Sequence, residues 1–112
     1  MGCDSRQSFN EFARGTTPTC VLRCKGVDLS GWSVFVTLEQ GAYEVTVSDV
    51  EVEVEEWGSL VRCRLSQDET LGFREGEVKA QVRAFKDGEA IASRKTYVGV
   101  AGVLLDGVIS DE

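Results

Sequence analysis

The sequence predicts an all-β protein whose simplest architecture is an antiparallel β-sandwich of about seven strands, with one short helical turn near residues 67–73. Three observations carry this reading. Apolar and polar residues alternate in one run after another, as half-buried strands require. Two-residue turn signals separate the runs. Small and large apolar residues dominate different runs, the complementary filling that two sheets about 10 Å apart need.

The elements follow in chain order. Residues 1–15 are polar and aperiodic apart from Phe9 and Phe12, and read as a flexible N-terminal arm outside the core. The β-sandwich domain is expected over residues 16–100. It opens at Thr16-Thr17-Pro18-Thr19, with proline at the first turn of a strand, where a lost donor matters least. Cys20, Leu22 and Cys24 then alternate with Val21, Arg23 and Lys25, Gly26 closes the strand, and Val27 and Leu29 tuck under the sheet from a turn.

In the middle of the chain, hairpin pairing can be checked against side-chain chemistry. A turn at Gln40-Gly41 pairs Leu38 with Tyr43 and Val36 with Val45, and a second at Ser48-Asp49 pairs Val47 with Val50 and Val45 with Val52. A third at Trp57-Gly58 pairs Val54 with Val61 and Val52 with Cys63 on one face, and Glu53 with Arg62 and Glu51 with Arg64 on the other. A one-residue slip would turn the valines to solvent. Ser66 with Glu69 three residues later is a capping box, so one helical turn delivers Leu71 and Phe73 to the core. Val78, Ala80, Val82 and Ala84 form the inner row of the next strand, and Asp87-Gly88 signals a hairpin. A tight loop there pairs Ala84 with Ile91 and Val82 with Ser93 but turns Lys95 inward beside Tyr97, which implies either a bulge or a longer loop.

Composition narrows the function. The 112 residues hold 12 Lys plus Arg against 19 Asp plus Glu, a net charge of −7, and no histidine. The charge disfavours a phosphate backbone, so no nucleic-acid partner is expected. Missing imidazole removes Ser-His and Cys-His nucleophile pairs, and the aspartates sit in turns and caps, where local hydrogen bonding accounts for them. The chain is therefore expected not to be an enzyme. Cysteines 3, 20, 24 and 63 do not form the two close pairs of a structural zinc site and read as reduced thiols, so neither metal nor cofactor is expected. No apolar run approaches the roughly 18 residues of a spanning helix, and no membrane partner is expected.

Residues 101–112 form an apolar C-terminal segment with an acidic tail. The segment is either a final strand closing the core or an arm that docks on a neighbouring subunit. Phe9, Phe12, Trp57, Val103, Leu104, Leu105, Val108 and Ile109 are the candidate assembly contacts, Trp57 because an aromatic residue in a hairpin turn is a ready binding anchor.

Seven groups of residues stand out as a set: Gly15-Thr16-Thr17-Pro18-Thr19, Gly26-Val27-Asp28-Leu29-Ser30, Val34-Phe35-Val36-Thr37-Leu38-Glu39-Gln40-Gly41 and Glu69-Thr70-Leu71-Gly72-Phe73, then Gly76 with Val82-Arg83, Asp87-Gly88 with Ala90-Ile91-Ala92, and Val103-Leu104-Leu105-Asp106-Gly107-Val108-Ile109. Together they resemble the N-terminal domain of the phage baseplate upper protein family and short proteins of phages and prophages in gut Firmicutes. These are turn and core residues and carry no reactive group. The resemblance implies an immunoglobulin-like domain and a non-enzymatic virion structural protein, a tail/baseplate- or capsid-associated subunit. Its partners would be other phage virion proteins, joined as a repeated subunit made in the host bacterial cytoplasm. The alternative is a small acidic phage protein that binds and inhibits a host cytoplasmic protein.

Overall fold

The computed structural model describes residues 11–110 and the backbone of residues 2–4. Among them are ten strands, β1 (Gly2–Asp4), β2 (Glu11–Ala13), β3 (Thr19–Lys25), β4 (Ser33–Gln40), β5 (Tyr43–Val47), β6 (Val50–Glu55), β7 (Gly58–Arg64), β8 (Gly76–Lys86), β9 (Glu89–Ala92) and β10 (Thr96–Ala101). One helical turn, α1 (Gln67–Leu71), lies between β7 and β8. The all-β sandwich is as expected. One sheet runs β1-β3-β7-β6 and the other β2-β10-β8-β4-β5, with β9 beside β8.

Alternation places the core. Cys20, Leu22, Cys24, Val61 and Cys63 from the four-stranded sheet meet Val34, Val36, Leu38, Val78, Ala80, Val82, Ala84 and Val98 from the six-stranded one, all buried. Leu29 is buried beneath the β3–β4 connection, its N–H donating to the Ser59 hydroxyl at 2.9 Å.

The expected pairings are corrected in three places. At the β4–β5 hairpin the turn is Gly41-Ala42, so Leu38 faces Val45 and Val36 faces Val47. At β6–β7 the turn is Glu56-Trp57, so Val52 faces Val61 and Val50 faces Cys63. Ser48-Asp49 is no hairpin at all: β5 and β6 lie in different sheets, and the link crosses the sandwich. Each revision has one physical reason. A two-residue slip and a crossing between inner faces both preserve the inward or outward sense of every side chain, so the valine pattern fits all of them. For the same reason β4 pairs with β8, not with a second sheet of small residues facing it.

The far hairpin resolves the Lys95 conflict. Asp87 and Gly88 both take positive φ (50° and 83°), as a two-residue type I′ turn requires. Ala84 faces Ile91 as expected. Ser93 then faces Val82, accepting its N–H on the hydroxyl at 3.0 Å and donating its own N–H to its carbonyl at 2.8 Å. By the next inward pair the register has shifted by one residue, with Thr96 opposite Ala80. The bulge puts Lys95 outside and Thr96 inside.

The capping box forms as expected. Ser66 Oγ accepts from Glu69 N–H at 3.1 Å, and Glu69 Oε1 accepts from Ser66 N–H at 2.8 Å. Phe73 is buried after it, whereas Leu71 is only half-buried.

Part of the expected arm belongs to the fold. β1 pairs with β3, and β2 runs parallel beside β10. Phe12 is buried and packs edge-on to Phe73 at 6.1 Å between ring centroids. Thr70, itself buried, donates its hydroxyl to the Thr16 carbonyl at 2.9 Å and accepts from the Gly15 N–H at 3.0 Å, fastening this stretch to α1. Three-residue edge strands show no periodicity, which is why the sequence gives no sign of them. No helix among the described residues is long and apolar enough to cross a membrane.

Candidate functional site

The C-terminal segment leaves the sheet at the end of β10 and forms no further strand through residue 110. Val103, Leu104, Leu105, Val108 and Ile109 are all exposed, Leu104 completely. Of the two placements the sequence leaves open, a final strand closing the core is absent among the described residues, and the core is filled without it. Polar ties hold it against the α1 end of the sandwich. The Gln67 amide pairs with the Ile109 backbone as a strand would, accepting its N–H at 2.9 Å and donating to its carbonyl at 3.0 Å. Arg14 donates to the carbonyls of Phe73 (2.7 Å) and Leu71 (2.9 Å), and the same guanidinium meets Asp106 at 3.3 Å. Backbone and carboxylate are thus anchored while the apolar side chains face outward. Covering an exposed leucine yields about 1.5–3 kcal/mol, and the run leaves most of that unrealised within the chain.

The other expected contacts divide. Phe9 lies outside the described residues. Phe12 is core, so it is no assembly contact. Trp57 sits in the β6–β7 turn, 39% exposed, with the Arg23 guanidinium 5.8 Å from its ring centroid. That cation–π contact fixes one face of the indole and leaves the rest to solvent.

A further surface went unnoticed in the sequence. On the outer face of the six-stranded sheet Phe35, Phe85 and Tyr97 are exposed. Phe35, Thr37, Thr46, Gln81, Arg83 and Phe85 line a shallow groove of about 570 Å³. The signal was available: each aromatic residue occupies an outward position of its strand, where alternation calls for a polar side chain.

The acidic strand β6 lies at a sheet edge. Arg62 stands opposite Glu51 but reaches diagonally to Glu53 at 2.8 Å, so the expected Glu53–Arg62 pair exists in a shifted register. A hydrogen bond from Glu55 and the Arg62 guanidinium hold Glu53 below the usual carboxylate range, and the same bond with the charge of Glu53 pushes Glu55 up. Cys20 and Cys63 face each other across β3 and β7 inside the core. The hydrogen bond from Cys63 lowers the Cys20 thiol against the effect of burial, while that bond and burial raise Cys63. Both are unbridged thiols and pack as small apolar groups. Among the described residues no cluster of acidic or thiol side chains has metal-binding geometry. No protein-family model matches the chain, and comparison with the curated proteins returns no match.

Proposed function

We propose that the protein is a non-enzymatic bacteriophage virion structural protein, a tail/baseplate- or capsid-associated subunit of immunoglobulin-like fold that acts through protein–protein assembly. The observation that carries the reading is the exposed run at residues 103–109, apolar on its free side and held by its polar groups. Strand order supports the immunoglobulin-like part. The series β1-β3-β7-β6 corresponds to strands A, B, E and D, and β10-β8-β4-β5 to G, F, C and C′. The phage part is supported by the resemblance of the turn and core motifs, Glu69-Thr70-Leu71-Gly72-Phe73 and the 103–109 run among them.

Mass spectrometry of purified particles tests it. The chain is expected in the particle at many copies. Recovery only from the soluble host fraction, bound to a host protein, would instead establish the inhibitor reading.

A further inference from the structure

We propose that the outer face of the six-stranded sheet is a self-complementary surface on which a second copy of the chain docks about a two-fold axis parallel to the strands, between β4 and β8. The inference goes beyond the virion reading and does not depend on it.

The registers define the face. Phe35 lies opposite Arg83, Thr37 opposite Gln81 and Glu39 opposite Lys79 across β4 and β8. On the outer flanks Glu44 continues the row beside Glu39, and Tyr97 continues it beside Lys79. Lys95, expelled by the bulge, joins Lys79, Glu39 and Glu44 around a second shallow depression of about 260 Å³. From the Glu39–Lys79 row to the Phe35–Arg83 row the charged groups are sorted by strand: the β4–β5 half carries Glu39 and Glu44, and the β8–β10 half carries Lys79, Arg83 and Lys95. Glu77, on the same face of β8 opposite Gly99, lies one row beyond and stands outside this sorting. Between them Thr37 and Thr46, joined by a 2.9 Å hydrogen bond, form an uncharged centre with Gln81.

A two-fold axis in the plane of an isologous interface exchanges the two halves. Laid along the β4–β8 boundary, it sets Glu39 of one copy over Lys79 of the other, Phe35 over Arg83, Thr37 over Gln81, and Glu44 beside Lys95 and Tyr97. Each contact is opposite in charge, cation on aromatic ring, or polar to polar, and each occurs twice. An axis across the strands would instead set Lys79 over Arg83. Charge alone thus selects one orientation. Phe35 and Phe85 supply the apolar ground, and aromatic residues with arginine are the residues that interface centres favour. Five strands about 4.8 Å apart and some five residues long give a footprint near 400 Å². That is below the roughly 800 Å² per partner of a stable complex, so the dimer is a weak one.

The test is charge exchange followed by sedimentation. Wild-type protein is expected to show a reversible monomer–dimer equilibrium below about 1 mM. Glu39→Lys and Lys79→Glu should each weaken it by about tenfold or more, since each change acts at both symmetry-related contacts. An equimolar mixture of the two variants should regain dimer, because each supplies the charge the other lost. Intramolecular repair cannot produce that recovery. Circular dichroism checks that each variant is folded, and Glu44→Lys with Lys95→Glu serves as the second exchange pair. A wild-type chain that stays monomeric to about 1 mM overturns the proposal. So do variants that associate like the wild type, or a mixture that fails to recover.

Discussion

Phe73→Ala lowers unfolding stability by about 3–5 kcal/mol, the range for deleting a buried aromatic ring. Phe73 is 1% exposed at the point where three parts of the chain converge. Its ring meets Phe12 of β2 edge-on and Tyr43 of β5 at 4.8 Å and 81°. Tyr43 in turn donates its hydroxyl to the Glu69 carbonyl at 2.8 Å, so α1, β2 and β5 share one aromatic joint. A single domain has about 5–15 kcal/mol in all, and the loss shifts the melting temperature down by about 15 °C. The effect should also be local. Phe12 loses its partner, so hydrogen exchange should speed up first at the Arg14 N–H, which bonds the Ala101 carbonyl at 3.0 Å. Calorimetry showing a loss under about 1 kcal/mol would mean that the joint is not a structural centre.

Gly58→Ala is expected to cost about 3 kcal/mol or more, from overpacking and backbone strain together. Gly58 begins β7 directly after the Glu56-Trp57 turn, at φ 151°, where side chains are rarely accommodated. A methyl group there would collide with the Cys24 carbonyl oxygen and lie 2.8 Å from the Gly26 nitrogen. Those are backbone atoms of β3 and its exit, so relief requires parting β3 from β7. The neighbouring bond from Gly26 N–H to the Trp57 carbonyl, 2.7 Å, would open with them. Denaturant unfolding measures the loss; a variant as stable as the wild type would show that the β3–β7 contact has slack.

The same facts show which parts of the fold the sequence made legible. Side-chain facing was readable because period two is a local property: Cys20, Leu22, Val36, Val82 and Ala84 point inward as alternation requires. The helical turn was readable because its cap lies within four residues. Partner choice was not, since a valine facing inward does not record which strand lies beside it. The β5–β6 link shows the limit: hairpin and sandwich crossing place Val47 and Val50 alike. β2 was hidden because its partner β10 lies at the opposite end of the chain. The candidate site divides in the same way. Apolar content marked residues 103–109 as exceptional, but composition alone does not separate a closing strand from a docking arm. Geometry at Gln67 and Arg14 does, by tying down only polar groups.

Assembly through residues 103–109, as proposed, is measured by the amount of a Leu104→Asp, Leu105→Asp chain in purified particles, quantified by mass spectrometry against the wild type. Both side chains lie outside the core, so the variant should stay folded, with its stability within about 0.5 kcal/mol of the wild type. Incorporation should fall at least tenfold while the soluble pool remains intact. A wild-type level would contradict the proposal.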